Sequence, residues 1–477
     1  MSSEIAAPPR RAWEEPTLTR HTFGTINKFS GVAINTRAPL VPTAVVDEID
    51  GCPVPELLRR FGSPLFVVSE SRLRREFRDF RAAFRAGYPG TEVAYSYKTN
   101  YLTGIRALLH EEGAWAEVVS GLEYEMARRL GVPGSRIVFN GPWKSDADLE
   151  RAVRDGALIN ADSLDELTAI EEIARAGRIT APVGLRVNAQ VTETPWEKFG
   201  FGLESGLAEE ACRRVVAAPA LRLAGLHAHL GTDLPDAGAY GRLLGLILPL
   251  MTRFERKHGV RWEALDLGGG FPNRHRYARA HPGTAPEQVF PAYAAAITRP
   301  LAAAMRRLES RPRLLLEPGR AVVEHAVSLL TRVVATKRLT SGAKAAVLDA
   351  GVHLLPTAYY TALDIAPVEP SPLSVEEITL FGPLCMQVDC LAVGVRLPPL
   401  RRGTPLVIRN CGAYADSQSM QFIHARPAVA LAREGRAELL REAETVDGFI
   451  GRDRIPDHVR NGHGRDGHAH DGKAPRR

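Results

Sequence analysis

The sequence predicts an α/β protein, a (β/α)8 TIM-type barrel followed by a mostly antiparallel β-barrel or sandwich domain. Three observations carry that prediction. Eight short apolar runs alternate with amphipathic segments between residues 93 and 317. Three amphipathic segments open with a serine followed three residues later by a carboxylate (Ser120/Glu123, Ser145/Asp148, Ser163/Glu166), the signature of a helix-capping box. After Arg320 the alternation gives way to apolar runs separated by Gly/Pro turns.

Residues 1–20 are polar and Pro-containing and are expected to be disordered. Residues 21–62 hold short strand candidates around Gly24–Phe29 and Thr43–Ile49, expected to pair with the β domain, and a helix at 55–61. The barrel domain is assigned to 63–320, opening with a strand at 63–69 and an Arg-rich helix at 71–87. Its strands are expected at 93–98, 114–119, 136–140, 157–162, 182–188, 223–230, 264–267 and 313–317. The intervening helices are expected at 103–112, 121–130, 146–155, 164–176, 206–218, 240–258 and 287–309. Gly113, Gly131, Gly156 and Gly177 stand where helix-ending glycines belong. Eight such units without a topological break close into a barrel more readily than they form an open doubly wound sheet. The β domain is assigned to 321–452, with strands at 326–335, 345–349, 378–381, 388–395 and 405–409. The Gly/His-rich end, 453–477, is expected to be disordered, and nothing fixes its histidines into a metal site.

Composition narrows the function. Hydrophobic content of 45%, charged content of 24% and a net charge of +6 over 477 residues describe an ordinary globular protein. No basic patch interleaved with aromatics points to nucleic acid, and no run of 18 apolar residues points to a membrane. Five scattered cysteines without metal spacing (52, 212, 385, 390, 411) predict reduced thiols in a cytoplasmic protein.

The chemistry is expected at the C-terminal ends of the barrel strands. Lys98 ends the first strand, Glu-Val-Ala-Tyr-Ser-Tyr-Lys98, where partial desolvation would make its amine nucleophilic. The seventh strand runs into Gly268-Gly269-Gly270, whose backbone N–H groups can approach a phosphate. The eighth ends Glu317-Pro-Gly319-Arg320, placing a carboxylate in the barrel mouth and an arginine beside the glycines. An amine, an anion nest and an acid on one face suit a phosphorylated aldehyde with a basic ring nitrogen, pyridoxal 5'-phosphate.

Here the chain resembles the fold-type III pyridoxal-phosphate decarboxylases, the family of diaminopimelate and ornithine decarboxylases, over roughly residues 45–450. Tyr95-Ser-Tyr-Lys98 is similar to the Schiff-base lysine strand, and His229-Leu-Gly231-Thr232 to the motif whose histidine stacks on the cofactor ring and whose hydroxyl meets the phosphate. Gly268-Gly-Gly270 and Glu317-Pro-Gly319-Arg320 match the phosphate loop and the ring-nitrogen carboxylate, and Asp349-Ala-Gly351 opens a matching β-domain segment. Gly382-Pro-Leu-Cys385 resembles the loop of the catalytic cysteine, and Gly412-Ala-Tyr414 that of the phosphate-binding tyrosine. The resemblance implies α-decarboxylation of an amino acid or amino-acid conjugate in a head-to-tail homodimer. Cys385 and Tyr414 would serve the partner's cofactor, and Lys198 and Asp389 would pair across the interface.

Three positions depart from that pattern. Met386 follows the cysteine where these decarboxylases usually carry an acid, and a thioether cannot pair with an ammonium. The segment Val352-His-Leu-Leu-Pro-Thr-Ala-Tyr-Tyr360 lacks the arginine that grips a distal carboxylate. The run Ala415-Asp-Ser-Gln-Ser-Met-Gln-Phe422 also differs. Substrate specificity is therefore expected to have diverged. The alternatives are a racemase or epimerase on the same fold, which Glu317 disfavours, and a non-catalytic cofactor-binding protein.

Overall fold

Eight parallel strands close into a ring: Thr91–Ser96, Trp115–Val118, Ile137–Phe139, Leu158–Ala161, Ala181–Asn188, Leu221–Ala228, Ala264–Asp266 and Arg313–Leu316. Each pairs with its neighbours in sequence, and the last closes on the first with Leu316 opposite Val93. The structure, a computed structural model, describes residues 44–193 and 195–462. The expected disorder of residues 1–20 and the strand at Gly24–Phe29 lie outside the described residues. Among those described, no helix is long and apolar enough to cross a membrane.

The helices begin where the capping serines stand. Ser120, Ser145 and Ser163 each accept from the backbone N–H three residues on. Only Asp148 completes a reciprocal box with its own serine. Glu123 and Glu166 reach one residue further back, to the N–H groups of Val119 and Asp162, both at 2.7 Å. Gly177 departs from expectation, remaining helical at φ −76° while Arg178 takes the left-handed conformation at φ 54°. The helix Glu70–Gly87 turns Leu73, Phe77, Phe80 and Phe84 inward at helical spacing. Phe80 meets Phe271 and Phe290 edge-on at 5.0 and 5.2 Å. A further short helix, Arg274–Ala280, is capped by Asn273, whose side chain accepts from His275 and Arg276.

Inside the ring, side chains alternate with period two. Ala94, Trp115, Val138, Ala264 and Leu315 form an apolar plug, with Leu158 packed beside it. Two residues further along each strand the inward position turns polar: Ser96, Glu117, Asn140, Asn160, Asp266 and Glu317. Arg186 and His227 join them from the fifth and sixth strands, and all eight are buried. Such a layer is costly unless its members satisfy one another.

The second domain is organised on the long strand Val327–Arg338, which pairs antiparallel with Lys344–Leu348, Pro405–Arg409 and Leu65–Ser69. Two of its pairings are parallel, Lys344–Leu348 with Glu376–Phe381 and Leu65–Ser69 with Val429–Arg433. The placement of Leu65–Ser69 corrects the assignment of 63–69 to the barrel. All five residues are buried, and Leu65 and Val67 face the β-domain core while Phe66 and Val68 face the main core. An apolar run covered on both faces carries no mark of which sheet it joins. The strand candidate at 43–49 reduces to Glu48–Ile49 paired with Cys52–Pro53, although Val46 N–H bonds the carbonyl of Pro367 in the β domain. Within the end expected to be disordered, Asp457–Gly462 is a short helix.

Three hydrogen bonds join the β domain to the turn holding Lys98. Asn100 Nδ2 donates to Gly412 O at 3.0 Å, Tyr414 N to Thr99 O at 2.9 Å, and Ser417 Oγ to Thr99 O at 3.2 Å. The Ser145 cap provides a local test of the helix reading. Ser145→Ala should cost about 1 kcal/mol, and a denaturant midpoint equal to the parent's would contradict the assigned cap.

Candidate active site

The polar layer opens at the C-terminal strand ends into a cavity of about 450 Å³. Lys98 enters it from the 3-10 turn Tyr97–Thr99, just past the first strand. Its Nζ donates to Glu117 Oε2 at 2.6 Å. Asn140 uses both amide hydrogens on carboxylates, one on Glu117 Oε1 at 3.1 Å and one on Glu317 Oε1 at 2.5 Å. Its own carbonyl accepts from Asn160 at 2.8 Å, and Asn160 also donates to Asp266 at 3.4 Å. A continuous hydrogen-bonded line thus runs from the Lys98 ammonium to Glu317 and on to Asp266.

The protonation states follow from these contacts. Removal from water disfavours charge on Lys98, but Glu117 and then Glu317 outweigh it and hold the ammonium above the usual lysine range. This corrects the expectation that desolvation alone would free the amine. Burial also works against the Glu317 carboxylate, yet His227, with Nε2 3.5 Å away, and Lys98 keep it well below the usual range. Asp266 is driven the other way, by burial and then by Glu317, so it carries the proton and hydrogen-bonds Glu317. His229 is lowered to about 3 by burial and by Lys98. Its Nδ1 accepts from Gly269 N at 3.0 Å, so the neutral ring carries its hydrogen on Nε2.

Close approach explains the glycines. A Cβ on Gly269 would stand 2.5 Å from Glu317 O, and one on Gly270, at φ 95°, would stand 2.7 Å from Gly231 O. Gly268 lies behind the wall, with its N–H on Asp266 Oδ1 and its carbonyl accepting from Glu317 N. A Cβ on Gly319 would collide with Thr99 Oγ1 at 2.0 Å. Thr232, Gly319 and Arg320 line the same cavity. Arg320 pairs with Glu324, its Cζ lies 5.5 Å from the centre of the Tyr414 ring, and its buried Nε bonds to nothing among the described residues.

Tyr414 lines this chain's own cavity, which corrects the expectation that it serves only a partner. It is held at φ 64°, a strained conformation for a bulky residue, by its N–H on Thr99 O. Cys385 is exposed and does not line the cavity. Its loop is clamped by Asp389, whose carboxylate accepts from Val352 N at 2.8 Å and Leu384 N at 2.7 Å. Asp389 is only 2% exposed, so it has no surface to offer the exposed Lys198 of another subunit. Met386 is half-buried against the core. The sequence reading omitted Glu117, Asn140, Asn160, Arg186, His227 and Asp266. Strand parity would have found them, each lying on the inward face next to an apolar neighbour.

A family model described as the pyridoxal-binding domain of pyridoxal-dependent decarboxylases matches residues 70–324. The chain is 31% identical over 439 residues to the diaminopimelate decarboxylase of Methanothermobacter thermautotrophicus, covering 90% of this chain and 98% of that one. It is 33% identical over 424 residues to that of Actinosynnema pretiosum subsp. auranticum, covering 85% and 92%. The solved diaminopimelate decarboxylase of Methanocaldococcus jannaschii superposes with a TM-score of 0.80 at 29% identity, over 87% of this chain and 98% of that chain. The chain belongs to the pyridoxal-dependent decarboxylases.

Membership makes it a pyridoxal-phosphate-dependent carboxy-lyase acting on an amino acid. The residues of this decarboxylase fit the cofactor. Gly269, Gly270, Thr232 and Arg320 line the cavity, and the buried Arg320 Nε, which bonds to nothing among the described residues, is a donor a phosphate oxygen would satisfy. The Lys98 amine and the Glu317 carboxylate share one cavity.

Glu123 yields a pH test of the buried-carboxylate account. It is pushed up to about 7, by burial first and then by Glu117. An acid raised on folding stabilises below its unfolded value and loses that contribution as pH rises through its folded value. Glu123→Gln should therefore gain stability relative to the parent between about pH 5 and about pH 8. Thermal melts that show a pH-independent difference would contradict this.

Proposed function

We propose that this decarboxylase removes the α-carboxylate of an amino acid or amino-acid conjugate whose far end differs from that of diaminopimelate. The observation supporting the chemistry is the line from Lys98 through Glu117 and Asn140 to Glu317. Pyridoxal phosphate, when bound, supplies the electron-withdrawing ring that takes up the electron pair left as CO2 departs. Lys98 would provide the amine that holds its aldehyde carbon, and Glu117, which accepts from Lys98 Nζ, would take the proton the ammonium must lose. Glu317, kept anionic, would hold the ring nitrogen protonated, with protonated Asp266 hydrogen-bonded to it and His227 Nε2 3.5 Å away. Neutral His229 would lie against the ring as an orienting group. Of the Gly268–Gly270 loop only the Gly270 N–H is uncommitted among the described residues, since Gly268 donates to Asp266 and Gly269 to His229; it would bind the phosphate together with Thr232, Arg320 and Tyr414.

The proton that replaces CO2 would come from Cys385 of the partner subunit in a head-to-tail homodimer. Its exposure and its absence from its own cavity support that role. Met386 supports the altered substrate, because an ammonium held against a thioether would lose water without gaining a charge. The relatives named as diaminopimelate decarboxylases, one of them solved with L-lysine, set the reference from which this chain departs.

Borohydride treatment of the loaded protein should fix the cofactor to Lys98, read by peptide mass spectrometry. An adduct on another lysine would overturn the site. Glu317→Gln should retain the cofactor but slow CO2 release by about a hundredfold or more, and near-normal turnover would contradict the role of Glu317. Mixing inactive Lys98→Ala with inactive Cys385→Ala should restore activity once subunits exchange. Exchange without recovery would rule out the shared site.

A further inference from the structure

The two β-domain segments that depart from the family pattern meet on one wall of the cavity. Tyr360 closes the run in which the arginine is missing, and Gln418 lies in the altered run after Tyr414. Both line the cavity, and the Tyr360 hydroxyl donates to Gln418 Oε1 at 3.3 Å. Tyr360 is 56% exposed, so the pair stands at the mouth of the cavity, beside Tyr414, whose carbonyl accepts from Gln418 N at 3.3 Å.

With its hydrogen committed, the phenol oxygen is left as an acceptor. With its carbonyl engaged, Gln418 is left with its NH2, which bonds to nothing among the described residues. The pair offers one acceptor beside one donor, and both are neutral. An ammonium brings only donors and a carboxylate only acceptors, so each satisfies half of the pair. An amide brings one N–H and one C=O and satisfies both. The nearby charges are already matched, Arg320 with Glu324 and Arg276 with Asp233 and Glu324.

Resting on the decarboxylase reading above, we infer that the substrate is an α-amino acid whose side chain ends in a neutral amide, selected by Tyr360 and Gln418. In the reaction the bond from Cα to the carboxylate breaks, CO2 leaves and one proton takes its place on Cα. The amide passes through unchanged.

The cofactor-loaded protein is given lysine, meso-diaminopimelate, Nε-acetyl-lysine and the 6-amide of 2-aminoadipate. The last two separate an acylated amine from a carboxamide. CO2 release gives kcat/KM, and the change in cofactor absorbance gives binding. At least one amide should exceed both charged substrates by about tenfold or more in kcat/KM. Tyr360→Phe should shrink that ratio chiefly through KM, and Gln418→Glu should invert the preference between Nε-acetyl-lysine and lysine. A merely structural loss would lower both substrates and leave the ratio in place. A parent that prefers lysine or diaminopimelate, or a ratio unmoved by both variants, overturns the amide inference and leaves the decarboxylase reading standing. CO2 from none of the amino acids overturns the decarboxylase reading, and the inference with it.

Discussion

Three acidic side chains, Glu117, Asp266 and Glu317, are buried in one polar layer of the barrel mouth, and they cannot all carry charge there unmatched. The fold resolves this by dividing protons among them. Asp266 keeps its proton, Glu317 gives its proton up, and the Lys98 ammonium lies against Glu117. Asn140 makes the division possible. A neutral amide with two hydrogens and one carbonyl can serve two carboxylates and be held by a third group, Asn160. An acid at position 140 would add another charge, and an apolar residue would leave two buried carboxylates short of donors.

The rest of the structure keeps this layer dry at its base and reachable from above. The apolar plug of Ala94, Trp115, Val138, Ala264 and Leu315 seals the lower end. At the upper end Trp196 and Phe199 form an aromatic wall, with Arg186 stacked on Phe199 at 4.2 Å. The β domain contributes from the side, where the strained Tyr414 is held by a hydrogen bond to the turn that carries Lys98. Barrel and β domain therefore line one cavity together. Loss of the Thr99–Tyr414 contact would release strain and loosen the cavity wall that Tyr414 forms.

Much of the barrel could be read from the chain because its signals are local. Ser145 and Asp148 mark a helix start by reciprocal hydrogen bonding, and Gly113, Gly131 and Gly156 take the positive φ that ends one. Lys98, Glu317 and the triple glycine stood out because they interrupt or terminate apolar strands. Glu117, Asn160 and Asp266 interrupt strands too, but as single polar residues they look like ordinary exceptions. Only their common parity, fixed once all eight strands are in register, gathers them into a layer. Leu65–Ser69 was misplaced for the opposite reason, since a strand buried on both faces shows no preference for either sheet. Tyr414 lies far from Lys98 in sequence, and no local signal reports that its backbone returns to the same chain's Thr99.

The electrostatic arrangement converges on the Glu317 carboxylate and the ring nitrogen it would face. That nitrogen can be observed directly by loading the protein with pyridoxal phosphate labelled with 15N in the ring and recording its chemical shift near neutral pH. With Glu317 anionic and Asp266 protonated, the nitrogen should resonate as a protonated pyridinium and remain so as the pH is raised to the limit of the fold. A neutral pyridine shift in the intact protein would contradict the charge arrangement described here.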